Sequence, residues 1–429
     1  MERSVTDVPV RKELSPQWLN DRCVECYKHS WMIAVPSPST AGNCWRPWRP
    51  GGIHPIPVGD VDSFQLASIL PTCAESQPPV TPHATSQTPE SHAALRAFAV
   101  EVVEKLRAAS YTALFAGGCV RDVLMGRQPD DYDVATTATP DQVREVFGRR
   151  RTLAVGESFG VIIVLGPKGV GQVEVATFRT EGTYADGRRP DSVAYSTPEE
   201  DAQRRDFTIN GMFYDPIAEH VLDYVGGEHD LHAGIVRAIG DPQARMTEDK
   251  LRMLRAIRFA ATLDFELDPT TADAIRSMSS EILVVSWERI SAELQKMLTH
   301  RHRRRAMRLA DQVGLLRLIL PELAPLLDAD DDPEWAHTLN ILDRLETSRF
   351  EPAAAVLLRT LATSSRGKRG SADAGSVGAV CRRLKLSNEQ REEIVWLVAN
   401  QSALAGAEHM ATSRLKRLLA NQRSRELLS

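Results

Sequence analysis

Cysteine is scarce and poorly placed for a covalent framework. Of the six, Cys23, Cys26, Cys44 and Cys73 fall near the N-terminus, and Cys119 and Cys381 stand alone in the remaining chain. A chain of 429 residues buries enough apolar surface to fold without disulfide or metal staples. Cys23-x-x-Cys26 has no second pair at zinc-ribbon spacing, so free thiols in a reducing compartment are the expectation. Long apolar runs are missing as well: stretches such as Val161 to Leu165 fall far short of the roughly 18 residues of a membrane span. Neither sign of charge dominates, since 52 basic side chains face 57 acidic ones for a net charge of −5. Any nucleic acid must therefore be held by a local basic surface and not by the field of the whole protein. The chain opens with Glu2, Arg3, Asp7, Arg11, Lys12 and Glu13 and shows no apolar core of a secretory signal, which points to the cytoplasm. What is present, 42% hydrophobic and 25% charged residues, is the composition of a globular protein with more than one domain.

Residues 1–90 carry Pro36, Pro38, Pro47, Pro50, Pro55 and Pro57, then a Pro/Ser/Thr-rich segment from Gln77, without sustained periodicity. A disordered or low-complexity extension is expected there. From near Ser91 the apolar residues Leu95, Phe98, Ala99, Val102, Val103 and Leu106 recur at helical spacing. A short strand (Ala113 to Ala116), a glycine pair, a helix (Val120 to Met125), a strand (Tyr132 to Ala135) and a helix opened by Thr139-Pro140 follow. Val161–Leu165 and Gln172–Phe178 read as two further strands around a Gly/Pro turn. An α+β domain thus occupies 91–215. A helical region spans 216–300 and a second 301–429, because strand signals almost vanish after about residue 240.

The chemistry concentrates around Gly117-Gly118-Cys-Val-Arg121-Asp122 and Asp131-Tyr-Asp133. Glycines between a strand and a helix let backbone N–H groups approach a polyphosphate, and Arg121 adds a charged donor. Asp131 and Asp133, two apart on a strand, put both carboxylates on one face with Tyr132 and Val134 on the other. Adjacent carboxylates repel unless a positive group lies between them, and beside a phosphate cradle the expected group is Mg²⁺. Either element alone is commonly a turn or a solvated strand edge; within one strand, glycine turn, helix, strand unit they point to phosphoryl-group chemistry on a nucleotide. Glu174 is a candidate third carboxylate, a charge set in an otherwise apolar strand that needs a metal, a site or a partner such as Arg179.

Arg204-Arg205-Asp206-Phe-Thr-Ile-Asn210 suits triphosphate and ribose contacts, or a helix start capped by Asp206. A helix from about Thr247 places Glu248, Asp249, Arg252 and Arg255 on one side and Leu251, Leu254 and Ile257 on the other. Its polar face is either a set of ion pairs or fixed donors and acceptors for a base edge, with Arg255 and Arg258 reaching phosphates. Arg301, Arg303, Arg304, Arg305 and Arg308 lie within eight residues; such runs are usually solvated faces, and on a helix they also suit an RNA backbone.

In this order the glycine pair with Arg121, the Asp-x-Asp, the Arg-Arg-Asp-Phe-Thr-Ile-Asn, the Glu-Asp-x-x-Arg-x-x-Arg-x-x-Arg and Ser286-Trp-Glu-Arg-Ile-Ser-Ala-Glu-Leu294 resemble the motifs of the class II tRNA nucleotidyltransferase and bacterial poly(A) polymerase family. The resemblance implies a polymerase-β-like nucleotidyltransferase head with a mixed or antiparallel sheet, followed by an all-α neck, body and tail. It implies extension of tRNA or other RNA 3′ ends from ATP and CTP with release of pyrophosphate. Asp131 and Asp133 would hold Mg²⁺, with Glu174 as third catalytic carboxylate. Gly117, Gly118, Arg121, Arg205, Asp206 and Asn210 would bind the nucleotide. Asp249 and Arg252 would read its Watson–Crick edge, with Arg255 and Arg258 beside them.

Polyadenylating members carry a Gly-basic-basic-Phe motif where this chain reads Gly156-Glu-Ser-Phe159, and Arg179 to Asp191 resembles the flexible loop of A-adding members. CCA addition is therefore favoured over A-only addition and polyadenylation. Trp335-Ala-His337 resembles the opening of an HD phosphohydrolase domain, but Arg359-Thr360 replaces the His-Asp, so a degenerate region without its metal site is expected in 301–429 and His337 reads as structural. A non-catalytic RNA-binding protein on the same fold is the alternative from another class. A dinucleotide-binding fold fails for want of the spaced third glycine.

Overall fold

Seven strands form the one large sheet, and their register decides where every candidate residue points. A computed structural model describes residues 89–154, 160–181, 193–328, 332–362 and 372–427, all within one compact unit. The N-terminal stretch to residue 88, the segment Gly156 to Phe159 and the centre of the loop after Glu181 lie outside the described residues. The elements run α1 (Pro89–Ala108), β1 (Ala113–Ala116), α2 (Gly118–Leu124), β2 (Asp133–Thr136), α3 (Pro140–Phe147), β3 (Thr152–Leu153), β4 (Val161–Leu165), β5 (Gln172–Thr177), β6 (Arg179–Glu181), β7 (Val193–Tyr195), α4 (Pro198–Gln203), β8 (Phe213–Asp215) and β9 (His220–Leu222). Then come α5 (Gly227–Ala233), β10 (Ile235–Val236), α6 (Pro242–Glu248), α7 (Arg252–Leu263), β11 (Glu266–Leu267), α8 (Pro269–Met278), α9 (Trp287–Leu298), α10 (Arg303–Gln312) and α11 (Leu315–Ile319). The remainder is helical: α12 (Ala324–Leu327), α13 (Pro333–Arg344), α14 (Phe350–Leu357), α15 (Ala372–Arg383), α16 (Asn388–Asn400) and α17 (Thr412–Leu419).

The sheet order is β3-β4-β5-β2-β1-β8-β9, with β2 and β5 parallel and the other neighbours antiparallel. The expected α+β head with a mixed sheet and a helical remainder is what folds. The helical stretch 216–300 nevertheless also supplies the edge strand β9 and the short pair β10/β11. Alternation along the strands separates two faces. Phe115, Tyr132, Val134, Ile162, Val164, Val173 and Val175 join Leu95, Phe98, Val102 and Leu106 of α1 in the main core. Burying each such side chain contributes about 1.5–3 kcal/mol. The opposite face starts with Leu114, Ala116, Ala135 and Phe213, packed on Phe178 and on Ala202 of α4. Pairing aligns Phe213, Ala116, Asp133, Glu174, Ile163 and Leu153 in one row across six strands, so both strand carboxylates belong to this second face.

The expected continuous helix through Glu248 and Arg255 is instead two helices. Asp249 is extended (φ −141°, ψ 107°), ends α6 and turns the chain before α7 starts at Arg252. Its Oδ1 accepts the Leu251 backbone N–H at 3.0 Å, a local bond that competes with helix continuation. Leu251, Leu254 and Ile257 are buried as their spacing requires.

Close backbone approach fixes one glycine. Gly227 starts α5 against the turn Thr208–Asn210, and a Cβ there would collide with the Thr208 carbonyl and stand 2.7 Å from Met212 Cγ. Gly227→Ala is expected to cost about 2–3 kcal/mol through overpacking, read as a lowered urea midpoint with an unchanged m-value.

Candidate active site

The glycine pair, the carboxylates and the basic motif come from separate segments and meet at one end of β1 and β2. Gly117, with φ +72°, is the residue before α2. A Cβ on it would lie 3.3 Å from an Arg205 guanidinium nitrogen and 3.7 Å from Asp133 Oδ2, so Gly117, Asp133 and Arg205 line one space. A Cβ on Gly118 would lie 3.7 Å from the Arg121 guanidinium. The backbone there is open to a polyanion with two guanidinium groups beside it.

β2 begins at Asp133, one residue later than the spacing predicts, and Asp131 stands in the exposed bend before it rather than on the strand. The alternation holds all the same, because Tyr132 and Val134 turn into the core. Burial above all, then Asp131 and Glu174, push the Asp133 carboxyl up to about 7 against the opposing influence of Arg205. Asp131 is also raised, by burial and then by Asp130 and Asp122. Glu174 is cross-strand neighbour to Asp133, roughly 5 Å away. It is exposed, which corrects the expectation of a buried charge needing compensation, and among the described residues no basic side chain pairs with it. No group of three or more metal-ligating side chains among the described residues forms a closed cage. The donor set instead suits a hard divalent cation that takes two carboxylates and completes its shell with water and substrate oxygens.

The arginines are held by acids, two of them within the sequence motifs, Asp122 and Asp206, and one, Asp201, outside them. Asp201, buried on α4, accepts Arg204 at 2.6 and 2.8 Å through Oδ1 and Arg205 at 3.0 and 3.1 Å through Oδ2. Burial opposes its ionisation, but the two guanidinium groups hold its pKa below the usual range. Arg121 makes two bonds to Asp122, at 2.9 and 3.0 Å, and donates to Asn210 Oδ1 at 2.8 Å. Asn210 Nδ2 donates to Asp206 Oδ1 at 3.2 Å, and Arg255 donates twice to Asp206 Oδ2, at 2.5 and 2.8 Å. A continuous chain of polar contacts thus runs from α2 to α7. Arg121, Arg255 and Arg258 also surround the Phe259 ring at 5.4, 5.3 and 4.0 Å from its centroid.

At the start of α7, Arg252 is only 8% exposed, although its spacing puts it on the polar face. It donates to Glu248 at 2.5 Å and to the carbonyls of Arg245 and Arg204 at 3.1 Å. Asp249 Oδ2 accepts Arg289 of α9 at 2.6 Å, and Arg258 pairs with buried Glu293 at 2.6 Å. Asp249 and Arg252 are therefore fixed in place by their neighbours. Asp201, Asp122, Glu293 and Arg289 complete the site. For Asp201 the sequence carried one unused signal, an acid three and four residues before a pair of arginines.

Of the five arginines expected to bind RNA, Arg303 is 3% exposed and turned inward. Arg304 pairs with Asp343 at 3.2 Å and Arg305 with Glu266 at 2.7 Å, while Arg301 and Arg308 are exposed. His337 stands exposed on α13 at an open cleft shared with Arg359. No helix among the described residues is long and apolar enough to cross a membrane.

A mixed sheet with acidic residues beside a glycine turn, set under a helix of fixed polar groups, defines a nucleotidyltransferase. Residues 113–237 match the family model for the poly(A) polymerase head domain, and residues 264–327 match that for the probable RNA and SrmB-binding site of polymerase A. The chain is 41% identical over 251 residues to the CCA-adding enzyme of Bacillus pumilus, covering 58% of this chain and 60% of that one. It is 35% identical over 301 residues to the CCA-adding enzyme of Streptococcus suis, covering 70% of each. Poly(A) polymerase I of Salmonella typhi is 41% identical over 233 residues, covering 51% of this chain and 49% of that one. Among solved structures, the Bacillus stearothermophilus CCA-adding enzyme in complex with CTP superposes with a TM-score of 0.61 at 28% identity, covering 80% of this chain and 77% of that one. The chain belongs to the family of CCA-adding enzymes and bacterial poly(A) polymerases.

Burial alone would raise the Asp206 carboxyl, but Arg255 above all, then Arg252 and Asn210, bring it down to about 2. A folded-state value below the ordinary 3.8 means that its stabilisation is complete above that value and is lost as pH falls through about 2. Asp206→Asn, which leaves Arg255 without its counter-charge, is expected to cost about 3 kcal/mol near neutral pH. Urea unfolding should show the gap between wild type and variant at pH 7 and its closure in strong acid.

Proposed function

We propose that the protein builds the CCA end of tRNA without a nucleic-acid template, adding C, C and A from CTP and ATP and releasing pyrophosphate. The observation that carries this reading is the convergence of Gly117, Asp133 and Arg205 on one space. The CCA-adding relatives and the absence of a basic pair in Gly156 to Phe159 favour CCA addition over polyadenylation. The buried thiols of Cys119 and Cys381 accord with a reducing cytoplasm.

Asp131 and Asp133 would hold Mg²⁺, with Glu174 beside them on the same face. When bound, the ion supplies activation of the RNA 3′ hydroxyl and neutralisation of charge at the α-phosphate under in-line attack. The chain's own groups do the positioning. The glycine turn admits the triphosphate, and Arg121 and Arg205, aimed by Asp122 and Asp201, counter its charge. Asp206 and Asn210 keep this cradle joined to α7. Asp249 and Arg252, fixed by Arg289 and Glu248, present an acceptor and donors to the base edge in place of a template.

Purified protein is to be incubated with tRNA ending before CC, with tRNA ending after CC and with generic RNA, each nucleotide supplied singly. Incorporation of C then A on tRNA supports the reading; A runs on generic RNA would replace it with polyadenylation. Asp133→Ala is expected to abolish incorporation while leaving the unfolding midpoint no lower, since it removes a buried carboxyl flanked by like charges. Retained activity would reject the metal assignment. Arg252→Ala should blur the choice between CTP and ATP by about tenfold, the value of one bidentate base contact of about 1–3 kcal/mol; unchanged discrimination counts against the protein-template role.

A further inference from the structure

One aromatic ring on α7 lies among three guanidinium groups that come from two helices. Arg121 of α2 stands 5.4 Å from the centroid of the Phe259 ring, Arg255 5.3 Å and Arg258 4.0 Å. All three fall within the roughly 6 Å over which a ring face attracts a cation. Three like charges around one point repel, and each has its own acid: Asp122 for Arg121, Asp206 for Arg255 and Glu293 for Arg258. Carboxylates bind the donors at the edge of a guanidinium plane, which leaves the flat face for an aromatic ring. Phe259 is 7% exposed, so its ring serves these neighbours and offers little to solvent.

Arg121 depends most on that contact. Asp122 is the next residue on the same short helix, so this pair by itself ties Arg121 to nothing outside α2. Two contacts from elsewhere do: one hydrogen bond to Asn210 at 2.8 Å and the Phe259 ring. Asp122 and Asn210 together take three of the five N–H groups that a guanidinium carries. The others remain beside Gly118, where a Cβ would lie 3.7 Å from the group. A second acid at the position of Phe259 would also hold Arg121, but it would cancel the positive charge that a triphosphate needs. A ring holds a guanidinium without neutralising it. The arrangement recurs across the glycine turn, where Arg205, bound by Asp201, stands 5.0 Å from the centroid of the Phe213 ring.

We infer that Phe259 is a positioning residue for the triphosphate: its ring holds the Arg121 guanidinium at the glycine turn and leaves its charge intact. This rests on the reading of the protein as a nucleotidyltransferase that seats a triphosphate at Gly117 and Gly118. Phe207 meets the same ring at 5.7 Å and 75°. Phe259 therefore also packs the interior, and the test has to separate packing from the charge distribution of the ring.

Mono-, di- and trifluorinated phenylalanine, placed at position 259 of the full chain, withdraw electron density from the ring in steps and nearly keep its shape. Binding of inorganic tripolyphosphate, which carries no base, is measured by calorimetry for each protein and for the same series combined with Arg121→Gln. Affinity is expected to fall stepwise by about fivefold in total, the size of one partly exposed cation–π contact. In the Arg121→Gln background it should stay level along the series, since the ring acts through Arg121. In nucleotide addition the KM for ATP and CTP should rise with the number of fluorines while kcat holds. An unchanged affinity along the series would overturn the proposal. So would an equal fall with and without Arg121→Gln, which assigns the effect to packing against Phe207. Failure of the unaltered protein to bind tripolyphosphate removes the seat and the proposal with it. Nucleotide incorporation by the unaltered protein is scored separately: its absence, with tripolyphosphate still bound, rejects the enzymatic reading while the fluorine series still decides the part played by the ring.

Discussion

The ion pair between Asp206 and Arg255 is the contact on which the working geometry depends. Asp206 belongs to the segment that returns to the head's sheet, and Arg255 to helix α7, which starts at Arg252. Bonds at 2.5 and 2.8 Å, with Asn210 and the Phe207 backbone N–H on the other oxygen, leave the carboxylate fully engaged. A buried pair of this kind is weak evidence for stability, since an apolar replacement of like volume often does as well. Its value lies in orientation. An apolar contact would tolerate sliding of α7 over the head, whereas two bonds from one guanidinium to an oxygen of a buried carboxylate fix where Asp249 and Arg252 stand relative to Gly117 and Asp133.

Around that joint, acids and bases are divided by role. Each arginine beside the glycine turn is oriented by an acid behind it, Arg121 by Asp122 and Arg205 by Asp201. Among the described residues the acids of that space have no such partners: no basic side chain pairs with Glu174, and Asp133 has the opposing influence of Arg205 against burial and two neighbouring carboxylates. The site without ligands thus holds strain of one kind, repulsion among carboxylates, which a divalent cation relieves. Fixed donors and an unrelieved anionic cluster are the two halves of a phosphoryl-transfer site, because charge stabilisation requires groups already in place when charge develops.

What the sequence made legible was whatever depends on short spacing. The strand at Val161–Leu165, the capped start at Thr139-Pro140 and the inward turn of Tyr132 and Val134 all follow from local periodicity and appear as read. The meeting of Gly117, Asp133 and Arg205 could be named through the order of motifs, but local spacing does not reach it, since the residues lie far apart along the chain. Glu293 and Arg289, quoted within a motif but given no partner there, act across such distances: Glu293 reaches Arg258 from 35 positions away, and Arg289 reaches Asp249 from 40. Helical periodicity also misled twice. It ran a helix through Asp249, where a side-chain bond to the Leu251 N–H turns the chain, and it read Arg252 as surface because it could not know that Glu248 and two carbonyls would enclose it.

Arg252 and Arg303 show why burial of a charge has to be read together with its partners. Both side chains are at least nine-tenths enclosed. Arg252 makes three bonds, one to a carboxylate, so its charge is spent on holding its own position. Arg303 makes one bond to a neutral carbonyl, and among the described residues no carboxylate pairs with it. The first arrangement suits recognition by direction, where a guanidinium must stand in one orientation to tell one base edge from another. The second suits recognition by charge, where a phosphate carries no sequence information and the demand is for positive potential at a fixed point.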